Sequence, residues 1–523
     1  MRGGRAELRL ILVALAALAA VGSAPLAAAA GDRTAGGRAM ASAFPSAGSL
    51  RTTTPIKHLV VIIPENQSFD HYFGTYPKAE NLPGEVRFKA KPNTPKVDGL
   101  SRELREHNPN LVNPFRLPPM RKMPCPPDHF MPEQEAAIDR GRMDRFVQES
   151  GDMCAAHTQK YVMSYFDGNT VTAHWNYAQR FAMSDAFHAD VLGPSTPGHL
   201  NLIAGQTHGA QPGNFEADRV QYSIRGTMVN DPDPAGDDCS APPKDIPNLS
   251  MSGRNIGDLL NERRVSWGYF QGGFAPTDRV HGTAICGAEH GNVYGTQPDY
   301  VPHHEPFQYY AQTANPHHRR PTAPRMIGST DRANHQYGLK DFWKAAKKGH
   351  QPAVSFLKPP AWADSHAGYS NPLAEQRWLV KKMNHLQRLD TWRQTAILIV
   401  YDDSGGWYDH VEPPLCSESA IPGFDSLTGA GRCGNPAPGV YQGRCGLGMR
   451  IPFTIVSPYA RSNYVDHRVL QQSSVLRFVE DNWRLGRLGN ESFDADAASI
   501  EPLFDWKRNT HRLILHYDGT PVH

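Results

Sequence analysis

The sequence lacks an excess of charge of either sign. Its 523 residues include 54 Lys and Arg against 52 Asp and Glu, so the formal net charge is only +2. A nucleic-acid-binding protein usually carries a strongly basic domain or stripe, and the sequence contains neither. We therefore expect no nucleic acid among the partners of this protein.

Long apolar runs are also nearly absent, and the single one lies near the N-terminus. Residues 10–21 are apolar, follow three arginines and lead into small residues up to Ala30. This layout is typical of a secretory signal peptide, so we predict removal of residues 1–30 on export, with an uncleaved anchor as the alternative. Since no other run is long enough to cross a bilayer, we expect a secreted or periplasmic protein without a membrane span.

The sequence also lacks cysteines spaced as metal ligands are. The seven cysteines include Cys416, Cys433 and Cys445 in a Pro/Gly-rich stretch, and the other four are scattered along the chain. Because export leads to an oxidising compartment, we expect disulfides rather than a metal site. The odd number leaves at least one cysteine without a partner in its own chain, and the sequence leaves the pairing and the oligomeric state open.

What the sequence does contain is an alternation of helical and buried-strand patterns. Residues 59–63 and 396–401 are almost wholly β-branched or aliphatic, which is typical of strands buried on both faces of a parallel sheet. A helical pattern that begins near Pro372 leads directly into the second of these strands. A helix followed by a buried strand predicts an α/β fold with a mostly parallel sheet.

Polar pairs follow both of these strands. Glu65 and Asn66 come just after the first strand, and Asp402 and Asp403 come just after the second. If the strands are neighbours in a parallel sheet, the four side chains meet at its carboxyl edge and can hold a divalent cation that prefers oxygen ligands. The alternative is structural: Glu65 would cap a helix and the aspartates would form an Asx turn.

A candidate nucleophile lies in the sequence Gly-Pro-Ser-Thr-Pro at residues 193–197. Pro197 suits the first turn of a helix, which would place Ser195 and Thr196 at a helix N-terminus, where backbone N–H groups favour a phosphate. A serine hydroxyl needs a neighbouring base or a metal to become nucleophilic. The alternative is that Ser195 or Thr196 is only an N-cap.

Four ordered stretches carry a family resemblance. Residues 65–74 read Glu-Asn-Gln-Ser-Phe-Asp-His-Tyr-Phe-Gly, the stretch at 193–197 follows, residues 401–410 read Tyr-Asp-Asp-Ser-Gly-Gly-Trp-Tyr-Asp-His, and residues 451–461 read Ile-Pro-Phe-Thr-Ile-Val-Ser-Pro-Tyr-Ala-Arg. Together they resemble the bacterial phosphoesterase family, which unites AcpA-type acid phosphatases with non-haemolytic phospholipases C. The resemblance implies an alkaline phosphatase-like α/β/α sandwich with a mostly parallel central sheet and long loop insertions.

The resemblance also implies a domain organisation. We predict a flexible leader at residues 31–55 and a single phosphoesterase catalytic domain over residues 56–523. Insertions rich in proline, glycine and charge are expected near residues 78–130, 207–254 and 412–448. The segment at residues 457–461 is expected to form part of the pocket wall.

The resemblance assigns roles to eight residues. Ser195 would take up the phosphoryl group and touch the metal, with Thr196 as the alternative nucleophile. A divalent metal ion of unknown identity would be held by Glu65, Asn66, Ser195, Asp402 and Asp403. His303, His304 and His366 resemble the family's active-site histidines, which would bind phosphate oxygens and protonate the leaving alcohol. If one of them has to be cationic, activity should be highest below neutral pH.

The function implied is that of a secreted, metal-dependent phosphoesterase. An acid phosphatase that hydrolyses monoesters through a phosphoserine is expected first, because the Asp402-Asp403 pair resembles the phosphatases and no C-terminal extension is present. The alternative is a phospholipase C acting on phosphatidylcholine-type diesters, so the partner is a phosphate ester or a phospholipid head group. A sulfatase is disfavoured because His199 stands where the Ser-X-Pro-X-Arg core has arginine, and a non-catalytic binding module is the remaining rival.

Overall fold

The computed structural model describes residues 42–119, 125–151, 158–212, 223–224, 226–416, 427–429, 432–434, 445–507 and 512–522. The predicted signal peptide lies outside the described residues. From Ser42 onward the chain belongs to one compact unit. No helix in this described part combines the length and the apolar character needed to cross a bilayer.

An eight-stranded sheet organises the fold. Its strands, in chain order, are β1 (His58–Ile62), β2 (Ala182–Ser184), β3 (Trp267–Gln271), β4 (Gln336–Gly338), β5 (Val354–Lys358), β6 (Thr395–Val400), β7 (Phe453–Val456) and β8 (Tyr464–Asp466). Their order across the sheet is β4-β3-β5-β1-β6-β7-β2-β8. β4, β3, β5, β1 and β6 pair in parallel, β7 is antiparallel to both β6 and β2, and β8 is parallel to β2. The predicted α/β fold with a mostly parallel sheet is confirmed.

Ten α-helices surround the sheet in the described residues. They are α1 (Phe69–Phe73), α2 (Arg102–Glu106), α3 (Met131–Ile138), α4 (Phe146–Glu149), α5 (Thr172–Arg180), α6 (Ser195–Ala204), α7 (Ile256–Glu262), α8 (Leu339–Lys347), α9 (Pro372–Leu386) and α10 (Ser473–Trp483). α9 begins at the proline that the sequence marked as a helix start, with Asn371 as its N-cap. The predicted sequence of helix α9 followed by buried strand β6 is also confirmed.

Short strands outside the main sheet build the insertions. One three-stranded sheet joins Ala210–Pro212, Asn248–Met251 and Asp233–Pro234. The remaining short strands form two-stranded ribbons: Phe115–Arg116 with Ser164–Tyr165, Phe187–His188 with Leu470–Gln471, Ser223–Ile224 with Thr227–Met228, Asp278–Val280 with Thr283–Ile285, Glu289–Asn292 with Gly295–Pro298, and Leu427–Gly429 with Arg432–Cys433. Two of these ribbons lie in the long β3–β4 connection, which also carries His303 and His304.

The core lies on both faces of the central strands. All five residues of β1 and all six of β6 are buried, because both strands lie in the interior of the sheet and their apolar side chains belong to the main hydrophobic core. Paired neighbours such as Val61 and Leu398 lie in register across the two strands. Burial on both faces explains why these segments read as continuous apolar runs in the sequence.

Two local predictions are wrong. Residues 42–55 do not form a free leader, since buried Thr54 donates its hydroxyl to Asn482 Oδ1 at 2.7 Å. The 457–461 segment lies at the edge opposite the predicted site, because β7 is antiparallel to β6 and Ser457 Oγ donates to Thr395 O at 2.9 Å.

Disulfides cross-link the described insertions. Cys239 bonds to Cys286 across 47 residues, and Cys433 bonds to Cys445 across 12. Cys125 is disulfide-bonded as well. The expectation that the cysteines form disulfides is confirmed for these five residues.

Candidate active site

The two polar pairs predicted from the sequence meet at the carboxyl edge of the sheet. β1 and β6 are hydrogen-bonded neighbours that run in parallel, so the segments after them leave the sheet side by side. The backbone N–H of Asn66 donates to Asp402 Oδ1 at 2.9 Å. Glu65, Asn66, Asp402 and Asp403 are all buried. Two segments more than 330 residues apart in sequence thus form one polar centre.

Two glycines allow the backbone to pack closely around this centre. A Cβ atom at Gly198 would lie 2.2 Å from the carbonyl oxygen of Asp402, so only glycine lets α6 rest on that backbone. A Cβ atom at Gly405 would lie 2.5 Å from the carbonyl oxygen of Asn66. Gly405 also has a φ of +61°, in the left-handed region that glycine enters at little cost.

Ser195 points its hydroxyl into the polar centre. Its Oγ donates to Glu65 Oε2 at 3.1 Å and lies 3.3 Å from both Asn66 Oδ1 and Asp403 Oδ2. We call Glu65, Asn66, Ser195, Asp402 and Asp403 the oxygen cluster. The structure therefore brings together all five residues that the sequence nominated as metal ligands.

The structural alternatives weighed from the sequence are only partly realised. Ser68, not Glu65, caps α1, because its side chain accepts from the N–H of His71. The Asx turn does exist: Gly405 N–H donates to Asp403 Oδ1, while the other oxygen of that carboxylate faces Ser195. One aspartate thus serves both the turn and the cluster.

Thr196 directs its hydroxyl away from the oxygen cluster. Its Oγ1 lies 3.5 Å from the carbonyl oxygen of His303, whereas its backbone N–H donates to Asp231 Oδ1 at 2.8 Å. The N-cap of α6 is Pro194, and no side chain caps that helix. Neither Ser195 nor Thr196 is the N-cap.

The second oxygen of Glu65 faces a cluster of nitrogen atoms. Glu65 Oε1 lies 2.9 Å from His199 Nε2 and 3.3 Å from His304 Nδ1. Lys358 Nζ lies 3.1 Å from the same oxygen and 3.2 Å from Asp364 Oδ2. Glu65, His199 and His304 are close enough to hold a metal ion as a group. Glu65 therefore links the oxygen cluster to a layer of imidazoles and one ammonium group.

The side-chain amide of Asn66 links the cluster to two further histidines. Its oxygen lies 2.7 Å from Glu65 Oε2 and 3.3 Å from Asp402 Oδ2, while its nitrogen lies 3.0 Å from His129 Nε2 and 3.3 Å from His366 Nε2. Turning the amide over would let its NH₂ donate to Glu65. The turned NH₂ would also donate to Asp402 Oδ2 at 3.3 Å, so hydrogen bonding favours the turned amide, while a cation in the cluster would be bound by the amide oxygen in the first orientation.

The predicted histidines differ in exposure and in charge. Burial lowers the pKa of His366 to about 3 and that of His304 well below its usual range. Burial also opposes protonation of His303, but hydrogen bonding to Asp233 and the nearby carboxylates raise its pKa above the usual value. The His303 side chain is 21% exposed and lies 3.3 Å from Asp233 Oδ1 through Nδ1. His303 is therefore the one of the three whose pKa is raised, and it is partly exposed, as is His366.

The carboxyl groups of the oxygen cluster oppose one another's ionisation. Burial, together with Glu65, raises the pKa of Asp402 to about 8, and burial and Asp402 raise the pKa of Asp403 strongly. Lys358 is the one Lys or Arg within the described ranges that pairs with Glu65, and none pairs with Asp402 or Asp403. Crowded buried carboxylates commonly coordinate a metal ion, whose positive charge stabilises their ionised form.

The donor set fits a divalent cation that prefers oxygen. Carboxylate oxygens of Glu65 and Asp403 and the amide oxygen of Asn66 surround the Ser195 hydroxyl, and Asp402 adds a further carboxylate beside Asn66. Such hard ligands suit Ca²⁺, Mg²⁺ or Mn²⁺, while the adjacent imidazoles would also suit softer first-row metals. The residues present thus support the predicted metal site and leave the identity of the ion undetermined.

The sequence comparison agrees with this geometry. The sequence model of the Phosphoesterase family matches residues 56–486, most of the chain. The chain belongs to the phosphoesterase family. The resemblance drawn from the four sequence motifs is therefore confirmed, and those motifs all lie within the matched range.

Several curated relatives of this phosphoesterase-family chain carry phospholipase C names. A non-hemolytic phospholipase C of Burkholderia pseudomallei is 25% identical over 90% of this chain and 59% of its own length. Phospholipase C A of Mycobacterium tuberculosis is 24% identical over 82% of this chain and 72% of its own length. Non-specific phospholipase C6 of Arabidopsis thaliana is 24% identical over 80% and 64%. The chain thus spans about three fifths of the length of the Burkholderia relative.

Among solved structures, murine ectonucleotide pyrophosphatase / phosphodiesterase 5 has a TM-score of 0.30 and 10% identity, over 64% of this chain and 95% of that one. A similarity at this level adds nothing to the fold described above.

Several residues of this phosphoesterase-family site were missed by sequence reasoning. His199 lies four residues after Ser195 on α6, a spacing that places both side chains on one face of a helix. Lys358 ends buried strand β5, next to β1, at the same carboxyl edge. Both positions gave a readable signal. His129 and Asp231 lie in loops without helical or strand periodicity. No sequence pattern therefore predicted that these two side chains lie in the site.

A second charged group lies beside the oxygen cluster. Arg450 Nε donates to Asp409 Oδ1 at 2.9 Å, and Arg450 Nη2 lies 3.4 Å from Asp70 Oδ1. His410 Nδ1 lies 2.6 Å from Asp70 Oδ2. We call Asp70, Asp409, His410 and Arg450 the arginine cluster. It joins α1 to the segment that follows Asp402 and Asp403. The arginine cluster therefore connects the two segments that carry Glu65-Asn66 and Asp402-Asp403.

Proposed function

We propose that this protein is a metal-dependent phosphoric ester hydrolase in which Ser195 is the nucleophile. The observation that carries the proposal is the placement of Ser195 Oγ within 3.3 Å of oxygens from Glu65, Asn66 and Asp403. Ser195 is also the first residue of α6 and is only 2% exposed. A buried serine that donates to carboxylates is poised to lose its proton during attack.

The oxygen cluster would hold the divalent cation. When bound, such an ion would lower the pKa of the Ser195 hydroxyl and offset the negative charge around it. Ser195 Oγ attacks phosphorus, and its one proton passes to Glu65 Oε2, the carboxylate oxygen to which the hydroxyl donates at 3.1 Å. The bond from phosphorus to the leaving alcohol breaks, which leaves a phosphoryl ester on Ser195. Water then hydrolyses that ester and restores the serine.

The histidines around the site have separate tasks in this proposal. The leaving oxygen needs a proton, and His303 is the candidate donor, because carboxylates raise its pKa and its side chain is partly exposed. His304 and His366, whose pKa values burial lowers, act as neutral hydrogen-bond donors to phosphoryl oxygens. His129, which contacts Asn66 at 3.0 Å, orients that amide.

Two substrate classes compete. Phosphodiesters of the phospholipase C type are supported by the names of the relatives from Burkholderia and Mycobacterium. Phosphate monoesters remain the second candidate, because the Asp402-Asp403 pair resembles the acid phosphatases of the family. Export through the N-terminal signal sequence is part of the proposal, and it agrees with disulfides such as Cys239–Cys286.

The test pairs two variants with two substrates. Purified protein is assayed with p-nitrophenyl phosphate and p-nitrophenyl phosphorylcholine across pH, with chelator and after metal is restored. Ser195→Ala is expected to lower kcat by about a thousandfold or more, and Thr196→Ala by less than about tenfold, since its hydroxyl faces His303 O. Mass spectrometry of acid-quenched enzyme should find the phosphoryl group on Ser195.

Each outcome decides a part of the proposal. Equal activity of Ser195→Ala and wild type, with loss of activity in Asp402→Asn, would refute the covalent route but keep the metal. Preference for the choline diester assigns the phospholipase C class, and preference for the monoester with an acidic optimum assigns the acid phosphatase class. No turnover of either ester with metal restored would support a binding module.

A further inference from the structure

An anionic side chain already occupies the start of α6. Asp231 Oδ1 accepts the backbone N–H of Thr196 at 2.8 Å, one residue after the candidate nucleophile. A helix N-terminus is the position at which a phosphoryl group would gain backbone hydrogen bonds. Since Pro197 has no N–H, the Thr196 N–H is one of only two in the first three helical residues. The Asp231 carboxylate therefore takes a donor that the substrate would otherwise use.

A second carboxylate lies close to the first. Asp233 Oδ1 lies 3.3 Å from His303 Nδ1, and the Thr196 hydroxyl lies 3.5 Å from the carbonyl oxygen of His303. Thr196, Asp231, Asp233 and His303 thus form a continuous edge beside Ser195. Asp233 is buried and has the imidazole of His303 as a partner, whereas Asp231 is half-buried and accepts only a backbone N–H in its described hydrogen bonds.

Asp231 lies beside the oxygen cluster. Its Oδ1 accepts the N–H of Thr196, the residue next to Ser195, and Ser195 Oγ lies 3.3 Å from Asp403 Oδ2. No arginine in the described ranges forms an ion pair with Glu65, Asp402 or Asp403, and Lys358 is shared between Glu65 and Asp364. The side chains therefore offer few fixed positive charges to a dianion at Ser195.

We propose that Asp231 is a specificity-determining residue that disfavours substrates whose phosphoryl group carries two negative charges. This inference rests on the proposed function, since it concerns the choice of substrate at Ser195. A phosphate monoester carries between one and a half and two negative charges near neutral pH, about one more at full ionisation than a diester. Repulsion by Asp231 is therefore stronger for the monoester, and the same repulsion promotes release of a dianionic product.

The test uses a substrate pair that differs by one charge. p-Nitrophenyl phosphate and its methyl ester share a leaving group, and at about pH 8 the monoester is a dianion while the methyl ester is a monoanion. Asp231→Asn retains a side-chain oxygen that can accept the Thr196 N–H and removes the charge. We expect kcat/KM for the monoester to rise about tenfold and that for the methyl ester to change by less than about threefold, an effect moderated by partial solvent screening.

Asp238→Asn is the matched control. Asp238 lies on the same loop and undergoes the same charge change, but its carboxylate binds Ala284 N–H at 2.8 Å and His317 Nδ1 at 3.2 Å, outside the site. We expect this variant to keep the wild-type ratio of monoester to methyl-ester hydrolysis. An unchanged ratio in Asp231→Asn, or an equal change in both variants, would overturn the proposal.

A binding measurement separates this inference from the proposed function. Calorimetric titration with inorganic phosphate should give a Kd about tenfold lower for Asp231→Asn than for wild type and for Asp238→Asn. If neither ester is hydrolysed by any variant with metal restored, the proposed function fails, and the phosphate Kd still decides the role of Asp231. An unchanged Kd in Asp231→Asn would then reject that role.

Discussion

The oxygen cluster and the arginine cluster both draw on the segments that follow β1 and β6, yet they balance charge in opposite ways. In the arginine cluster, Asp70 and Asp409 face Arg450 and His410, so two carboxylates meet two cationic groups. In the oxygen cluster, Glu65 is the one carboxylate that pairs with Lys358 in the described ranges, and Lys358 also serves Asp364. Proximity alone does not separate the two regions, since Glu65 with His199 and His304, and Asp70 with Asp409 and His410, are each close enough to bind a metal.

The pKa shifts express the same difference. Burial would raise the pKa of Asp70, but His410 and Arg450 lower it below the usual value. Burial and Glu65 raise the pKa of Asp402 to about 8. Asp409 is intermediate, because burial raises its pKa and Arg450 opposes the rise. The arginine cluster pairs both of its carboxylates within the protein, whereas Lys358 is the one Lys or Arg in the described ranges that pairs with a carboxylate of the oxygen cluster, and this contrast separates a structural ion-pair group from a candidate active site.

The largest expected effect breaks the balanced side of this contrast. Arg450 is 1% exposed and also donates to the carbonyl oxygens of Asp98 and Asp185. Arg450→Met would leave buried Asp70 and Asp409 without their guanidinium partner. Removal of one member of a buried ion pair typically costs about 3–5 kcal/mol, so we expect the free energy of unfolding, measured by urea titration with circular dichroism, to fall by about that amount.

An exposed ion pair provides the control. Arg102 pairs with Glu106 on α2, and its side chain is 83% exposed. Arg102→Met is expected to leave the free energy of unfolding nearly unchanged, since exposed pairs contribute little. If Arg450→Met were as stable as this control, charge balance would not explain how the arginine cluster tolerates burial.

The next effect concerns pH and His410. Burial opposes protonation of this imidazole, but Asp70 and Asp409 raise its pKa to about 9. Because the folded-state pKa lies above the usual value of about 6.5, the stabilisation is fully present below pH 6.5 and is lost as pH rises through about 9. We expect a loss on the order of 2 kcal/mol in the free energy of unfolding over that interval.

His410→Gln removes this titration and should flatten the pH dependence between those limits. The informative quantity is the difference between the wild-type and variant stability curves, because other groups contribute equally to both. A wild-type curve that rises over the same interval, or runs parallel to that of the variant, would contradict the assigned ion pair with Asp70.

The contrast also shows how far the sequence could lead. Glu65-Asn66 and Asp402-Asp403 were readable because each pair ends an apolar run, and the pairing of β1 with β6 then brought them together. Ser195 was readable from its position beside Pro197 at a helix start. These predictions depended on local pattern and on one general property of parallel sheets.

Contacts set by long loops were beyond such reasoning. His129 reaches Asn66 and Asp231 reaches Thr196 from segments without helical or strand periodicity. The direction of β7 could not be predicted either, because a short buried strand shows the same apolar sequence pattern in parallel and in antiparallel pairing. That is why the segment at 457–461 was placed at the wrong edge, although Arg450, just before β7, does lie beside the ligand loops.

The smallest expected effect is also the most discriminating, because the same change should have opposite signs in the two clusters. In metal-free protein, Asp402→Asn removes a buried carboxyl group that has to take up a proton on folding, while the amide oxygen can still accept the Asn66 N–H. We expect this variant to be more stable than wild type by about 1 kcal/mol in chelator at neutral pH. Asp409→Asn removes a charge that Arg450 compensates, so it should be less stable with or without metal.

Thermal unfolding followed by fluorescence measures both, and added Ca²⁺, Mg²⁺ or Mn²⁺ should raise the Tm of wild type and of Asp409→Asn but not of Asp402→Asn. Destabilisation of both variants in chelator would mean that the oxygen cluster is balanced within the protein and needs no cation.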